Sequence, residues 1–150
     1  MPADRWQVFL DTNVLIAGLA SRTGASAAIL DLGEAEEIHI VLSRQILIEA
    51  DRVFLAKFPH LLERYRPFIR NLAPLLVEDP PRALIKEASG LIHPNDAPIL
   101  AAAKHAGVDY LVTLNTRHFT IPKVRGFLPV PIVTPAEFLV AFRKFWEQPV

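Results

Sequence analysis

Three carboxylates stand out by where they fall in the chain. Asp11 closes the apolar run Val8-Phe9-Leu10. Glu49 borders the apolar stripe Ile46, Ala50 and Val53 rather than opposing it. Asp96 falls within about half a turn of the face Ile99, Leu100, Ala103 and Ala106, at the ~100° per residue of an α-helix. Each has a plain structural explanation. A strand-end Asp caps the next helix. An acid in a first turn complements the helix dipole. A boundary Glu reaches water or pairs with Arg44 or Arg52. Taken together, one acid ends a strand and the other two sit on inward edges of helices that follow strands. Carboxylates that converge repel one another, so a hard divalent cation is their natural counter-charge. Ligands that are all oxygen suit Mg²⁺ or Mn²⁺.

The elements that must position these acids follow from patterning. A buried first strand spans residues 7–11 and delivers Asp11 to its C-terminal tip. A helix follows, breaks near Ser21-Arg22-Thr23-Gly24, resumes over 26–32 and stops at Gly33. Residues 38–42 are β-branched-rich and read as the second strand. Ser43 caps a helix that runs to Lys57 and carries Glu49. Pro59 interrupts, and 61–72 form a helix with Arg64, Arg66 and Arg70 on it. Leu75-Leu76-Val77 is either a short strand or a buried connector. Pro80-Pro81 opens a short helix through Ala88. Asn95 caps the helix 96–105, which Gly107 stops. Residues 110–113 form a strand, 121–130 read as loop, Ile132-Val133 is a last short strand, and Pro135 begins a final helix over 136–146. Strands alternating with helices imply a mostly parallel sheet. Such sheets bind ligands outside the carboxyl ends of their strands.

Composition narrows the classes. The chain has 150 residues, 51% hydrophobic and 21% charged, which predicts a single packed domain over 1–150 rather than disorder. No apolar run approaches the ~20 residues of a membrane span. The segment Met1-Pro2-Ala3-Asp4-Arg5-Trp6 lacks the layout of a signal peptide, so a cytoplasmic location is expected. With no cysteine, disulfides, thiolate zinc sites and thiol catalysis are excluded. The 16 basic and 16 acidic residues balance, so phosphate contacts must come from local clusters.

Four segments then resemble one family. They are Asp11-Thr12-Asn13-Val14-Leu15, Glu49 in the helix after Ser43, Asn95-Asp96-Ala97-Pro98-Ile99-Leu100-Ala101-Ala102-Ala103, and Leu111-Val112-Thr113-Leu114-Asn115-Thr116-Arg117-His118-Phe119. In this order and separation the chain resembles a PIN-domain protein, of the kind that forms the toxin (VapC-like) of bacterial and archaeal toxin–antitoxin systems. The resemblance implies a three-layer α/β/α sandwich with a mostly parallel central sheet. It also implies an Mg²⁺- or Mn²⁺-dependent ribonuclease whose metal-binding acids are Asp11, Glu49 and Asp96. Many members carry a further acid in the segment matching Thr113 to Phe119. Here Asn115 and His118 stand in that segment, without Asp or Glu. An amide can hold water or a substrate oxygen, but brings no negative charge, so a second metal would bind more weakly.

On that resemblance Asp11, Glu49, Asp96 and Asn115 form the catalytic set. Thr12, Asn13, Thr113 and Asn115 orient water and ligands from behind the acids. Arg22, Arg117 and His118 contact RNA phosphates or the leaving group; the plain alternative is that they are solvated surface residues. The expected partners are an RNA substrate, a cognate antitoxin and a second copy in a homodimer. The helix over 61–72 and the apolar Phe138, Leu139, Phe142, Phe145 and Trp146 supply candidate faces. The competing reading is a PIN-fold module that binds RNA or protein and cleaves weakly. A phosphatase or a receiver domain fits poorly, because Asn13 rather than a second Asp stands two residues after Asp11.

Overall fold

Residues 5–147 are described in the computed structural model of the chain. The first four residues, part of the segment on which the signal-peptide reading rests, lie outside the described residues, as do 148–150. Five strands form one sheet: β1 (Gln7–Leu10), β2 (His39–Ser43), β3 (Leu75–Val77), β4 (Tyr110–Val112) and β5 (Ile132–Val133). Their order is β3-β2-β1-β4-β5, and all four pairings are parallel. Val8, Phe9 and Leu10 are fully buried, as suits a central parallel strand covered on both faces. Phe9 sits opposite Val41 on one side and Leu111 on the other.

This order winds outward from β1 in one direction and from β4 in the other. The reversal falls between β1 and β4, the topological switch point where open α/β sheets bind ligands. Asp11 stands there, since its N–H extends the ladder to the Val112 carbonyl at 3.0 Å. Thr113 stands beside it, pairing its own N–H with the Val133 carbonyl at 2.9 Å.

The helices flanking the sheet are α1 (Thr12–Ala20), α2 (Ala25–Glu34), α3 (Arg44–Lys57), α4 (Leu62–Leu72), α5 (Arg82–Ser89), α6 (Ala97–Ala106), α7 (Thr116–Phe119), α8 (Pro122–Phe127) and α9 (Pro135–Glu147). Ser43 caps α3 as its position implies, accepting from the Ile46 N–H at 3.2 Å. Helix α2 packs on α1, α4 and α9, and α5 packs on α6. Trp6 gathers the rings of Tyr110, Phe138, Phe142 and Phe145 within 4.9–5.9 Å, pinning α9 beside the start of β1. Among the described residues no single helix is long and apolar enough to cross a membrane.

The fold departs from the sequence expectations at four places. Gly33 does not stop α2, which continues to Glu34. Gly33 is instead a close-packing position: a Cβ there would overlap Ile40 Cδ1 and lie 3.0 Å from Leu72 Cδ1. Asn95 does not cap α6. It lies in a turn in which the Asp96 N–H donates to the His93 carbonyl, and Asp96 itself holds the N-cap position. Residues 121–130 are not all loop, because Pro122–Phe127 is helical with Val124 and Phe127 buried. Thr116–Phe119, too short for the sequence pattern to show an element, forms a helical turn that buries Phe119. The open alternative at Leu75-Leu76-Val77 resolves as an edge strand.

Candidate active site

The sequence places Asp11 one residue past a fully buried strand and one residue before a helix. Its carboxylate is therefore confined from both sides and only 7% exposed. Asp11 Oδ1 accepts the Thr12 N–H at 2.7 Å, the capping bond that a strand-end Asp can make. Asp11 Oδ2 accepts the Thr113 hydroxyl at 3.0 Å. Thr113 is fully buried, and its oxygen in turn accepts the Asn115 N–H at 3.0 Å. Both carboxylate oxygens are thus held, one by β1's own continuation and one by the tip of β4.

The network continues in both directions. Thr12, the first residue of α1, donates its hydroxyl to Glu49 Oε2 at 2.9 Å. Gln45, one turn earlier on α3, donates its side-chain amide to Glu49 Oε1 at 3.2 Å. On the other side the Asn115 side-chain amide meets His118 Nδ1 at 2.8 Å. The same nitrogen lies 3.2 Å from Asp96 Oδ2. Asp96 makes no capping bond to its own helix, because its carboxylate is turned toward His118. An unbroken line of contacts therefore runs from Gln45 and Glu49 through Thr12, Asp11, Thr113 and Asn115 to His118 and Asp96.

The electrostatics have one direction. Burial pushes the Asp11 carboxyl above its usual range. The Thr113 hydroxyl and the Thr12 N–H oppose that shift, and the negative charges of Asp96 and Glu49 add to it. Both charges acting on Asp11 are negative. All three acids offer only hard oxygen donors, so donor type and charge fit a divalent cation. The arrangement is open, however: among the described residues no three acidic, His or Cys side chains stand close enough to hold an ion as they are.

Asp11, Glu49, Asp96, Asn115, Thr12, Thr113 and His118 all lie on this network. Asn13 is exposed in the first turn of α1, and Arg117 is exposed on α7 beside His118. Arg22 lines a separate hollow between α1, α2 and α4, together with Arg64 and Asp31. The bland pairing of Glu49 with Arg44 or Arg52 does not form; its partners are Thr12 and Gln45. Gln45 was not singled out from the sequence, although its spacing of four residues before Glu49 on one helix is the available signal.

A family model described as PIN domain matches residues 7–117. No curated protein sequence matches the chain. Among solved structures the chain is similar to FitAcB from Neisseria gonorrhoeae, with TM-score 0.63 and 21% identity over 86% of this chain and 98% of that one. It is also similar to VapBC2 from Rickettsia felis, solved bound to a DNA fragment from their promoter, with TM-score 0.61 and 15% identity over 84% and 96%. PAE2754 from Pyrobaculum aerophilum matches with TM-score 0.56 and 17% identity over 93% and 96%. These likenesses concern the fold.

Proposed function

The chain belongs to the PIN-domain family, and from that premise we propose that it is a divalent-metal-dependent endoribonuclease and the toxin of a toxin–antitoxin pair. The observation that carries the reading is the line of contacts joining Glu49, Asp11 and Asp96 across the switch point of the sheet. Asp11, Glu49 and Asp96 would hold Mg²⁺ or Mn²⁺. When bound, such a cation polarises a phosphoryl oxygen and makes water more acidic.

The chain's own residues do the rest. Thr12 and Thr113 fix the plane of the Asp11 carboxylate by taking one oxygen each. Thr12 also keeps Glu49 turned toward Asp11. Asn115 can orient water or a non-bridging phosphate oxygen, since its amide both donates and accepts. His118, half exposed beside Asp96, would contact RNA phosphates or the leaving group. Arg117, exposed on the same turn, contacts RNA phosphates and adds affinity without sequence preference.

The toxin part of the reading is supported by the likeness in fold to FitAcB and VapBC2. A cognate antitoxin, a homodimer and a cytoplasmic setting belong to it. Exposed Ile48, Leu55, Leu76, Val140, Phe145 and Trp146 offer apolar surface for such partners. The second reading, a weakly catalytic binding module, is favoured by Asn115 and His118 standing where a further acid is common. The test is RNA cleavage in Mn²⁺ by the parent and by Asp11→Asn. Cleavage by the parent, its loss in the variant and its loss in EDTA support the proposal. Equal cleavage by both proteins overturns the site, and RNA binding without cleavage by the parent favours the module.

A further inference from the structure

Glu49 is a half-buried acid on the flank of α3. A glutamate has three rotatable bonds, and at such a boundary its default is to turn to water. Here both of its oxygens are taken. Thr12 holds Oε2 from α1 at 2.9 Å, and Gln45 holds Oε1 from the first turn of α3 at 3.2 Å. A carboxylate only accepts, so the Gln45 amide must present its NH₂. The donor is also neutral. A lysine or arginine in that place would cancel the charge that a cation needs. Arg44 and Asp51, by contrast, line a hollow with Leu47, Tyr65 and Arg66, so the nearby arginine is directed elsewhere.

We infer that Gln45 is a positioning residue for the metal site: its side-chain amide and the Thr12 hydroxyl together hold the Glu49 carboxylate toward Asp11 before a cation arrives. This rests on the reading of Asp11, Glu49 and Asp96 as metal-binding acids. Gln45 touches neither substrate nor reacting atoms. It acts by removing the freedom that Glu49 would otherwise lose on binding the ion. Thr12 cannot do this alone, because a single bond to Oε2 leaves the carboxylate free to rotate about it.

The experiment is a double-mutant cycle read by Mn²⁺ binding, with calorimetry and electron paramagnetic resonance of free Mn²⁺, on the full chain. Gln45→Met keeps the length and helix propensity of the side chain and removes the amide. It is expected to bind Mn²⁺ about 10-fold more weakly than the parent, the scale on which orienting partners of metal ligands act. Its melting temperature without metal stays near the parent's, and its Mn²⁺-induced rise in melting temperature shrinks. In a Glu49→Gln background the Gln45→Met change adds nothing. A parent that binds while Gln45→Met binds equally well overturns this inference and leaves the metal reading standing. The same loss in both backgrounds also overturns it, because Gln45 would then act through the fold. A parent that takes up no Mn²⁺ overturns the metal reading and this inference with it.

Discussion

The Thr113 hydroxyl donates to Asp11 Oδ2 at 3.0 Å, joining residues 102 positions apart in the chain. The bond spans the switch point of the sheet, because Asp11 follows β1 and Thr113 follows β4. It opposes the burial that raises the Asp11 carboxyl. The same oxygen accepts the Asn115 N–H, so one hydroxyl serves an acid and the loop that follows it.

Thr113→Val tests that double service. Valine has nearly the same shape and suits a strand end, so no cavity forms. It leaves Asp11 Oδ2 without its donor and the Asn115 N–H without its acceptor. The expected loss is about 1–3 kcal/mol of unfolding free energy, the scale for a buried polar group left unpaired. Asp11 rises further without the hydroxyl, so Mn²⁺ uptake moves to higher pH. Urea unfolding and Mn²⁺ titrations at pH 6 and pH 8 check both parts. A variant as stable as the parent, with an unchanged pH profile, contradicts the assignment.

Asp11→Asn carries a pH-dependent signature of its own. The folded carboxyl sits above the ordinary value of 3.8, so the folded state holds its proton more tightly than the unfolded chain. Below pH 3.8 both states are protonated and ionisation adds no penalty. As pH rises, the unfolded chain ionises first and stability falls. The penalty is complete above the raised folded value and constant beyond it. Asparagine does not titrate. The melting temperature of Asp11→Asn minus that of the parent should therefore increase from about pH 4 upward and then level off. Saturating Mn²⁺ should reverse the order at neutral pH by stabilising only the parent. Calorimetric scans from pH 3 to 8, with and without Mn²⁺, read this directly. A difference that does not vary with pH counts against the burial argument.

Local pattern explains what was legible beforehand. Val8-Phe9-Leu10 reads as a buried parallel strand because every position is apolar, and Ser43 reads as a cap because a helical stripe follows it. The line of hydrogen bonds was not legible, since Thr113 and Asp11 meet only through sheet order. Asp96 reads as a first-turn acid behind Asn95 by local rules. Its actual direction is decided by His118, 22 residues further on. Helix α8 escapes notice because six residues with Val124 and Phe127 buried give a stripe of two, too short for a period to register.

Gly33 shows the same division, and Gly33→Ala tests it. Near a helix end glycine suggests termination, yet here the missing side chain makes room for Ile40 and Leu72. A methyl group would overlap Ile40 Cδ1, and both neighbours are buried in the core, where they have little room to move. Alanine should cost about 1–3 kcal/mol through overpacking, despite its better helix propensity. Chemical denaturation checks the sign. A stabilised variant would mean that Gly33 serves only as a weak helix position.

Asn115→Asp asks whether the neutral amide at position 115 governs metal number. Asn115 lies between Thr113 and His118, on the line that ends at Asp96. An aspartate there adds a fourth negative charge near two others, so without metal the variant should melt below the parent. A carboxylate at 115 only accepts, so His118 Nδ1, 2.8 Å from the Asn115 amide, would have to donate to it or turn away. With Mn²⁺ the added acid supplies both charge and a hard ligand. Calorimetry should then show two Mn²⁺ ions per chain in place of one, and the rise in melting temperature on adding Mn²⁺ should exceed the parent's. An unchanged stoichiometry of one would mean that the amide at position 115 does not limit metal number, and that the geometry around Asp96 and His118 does.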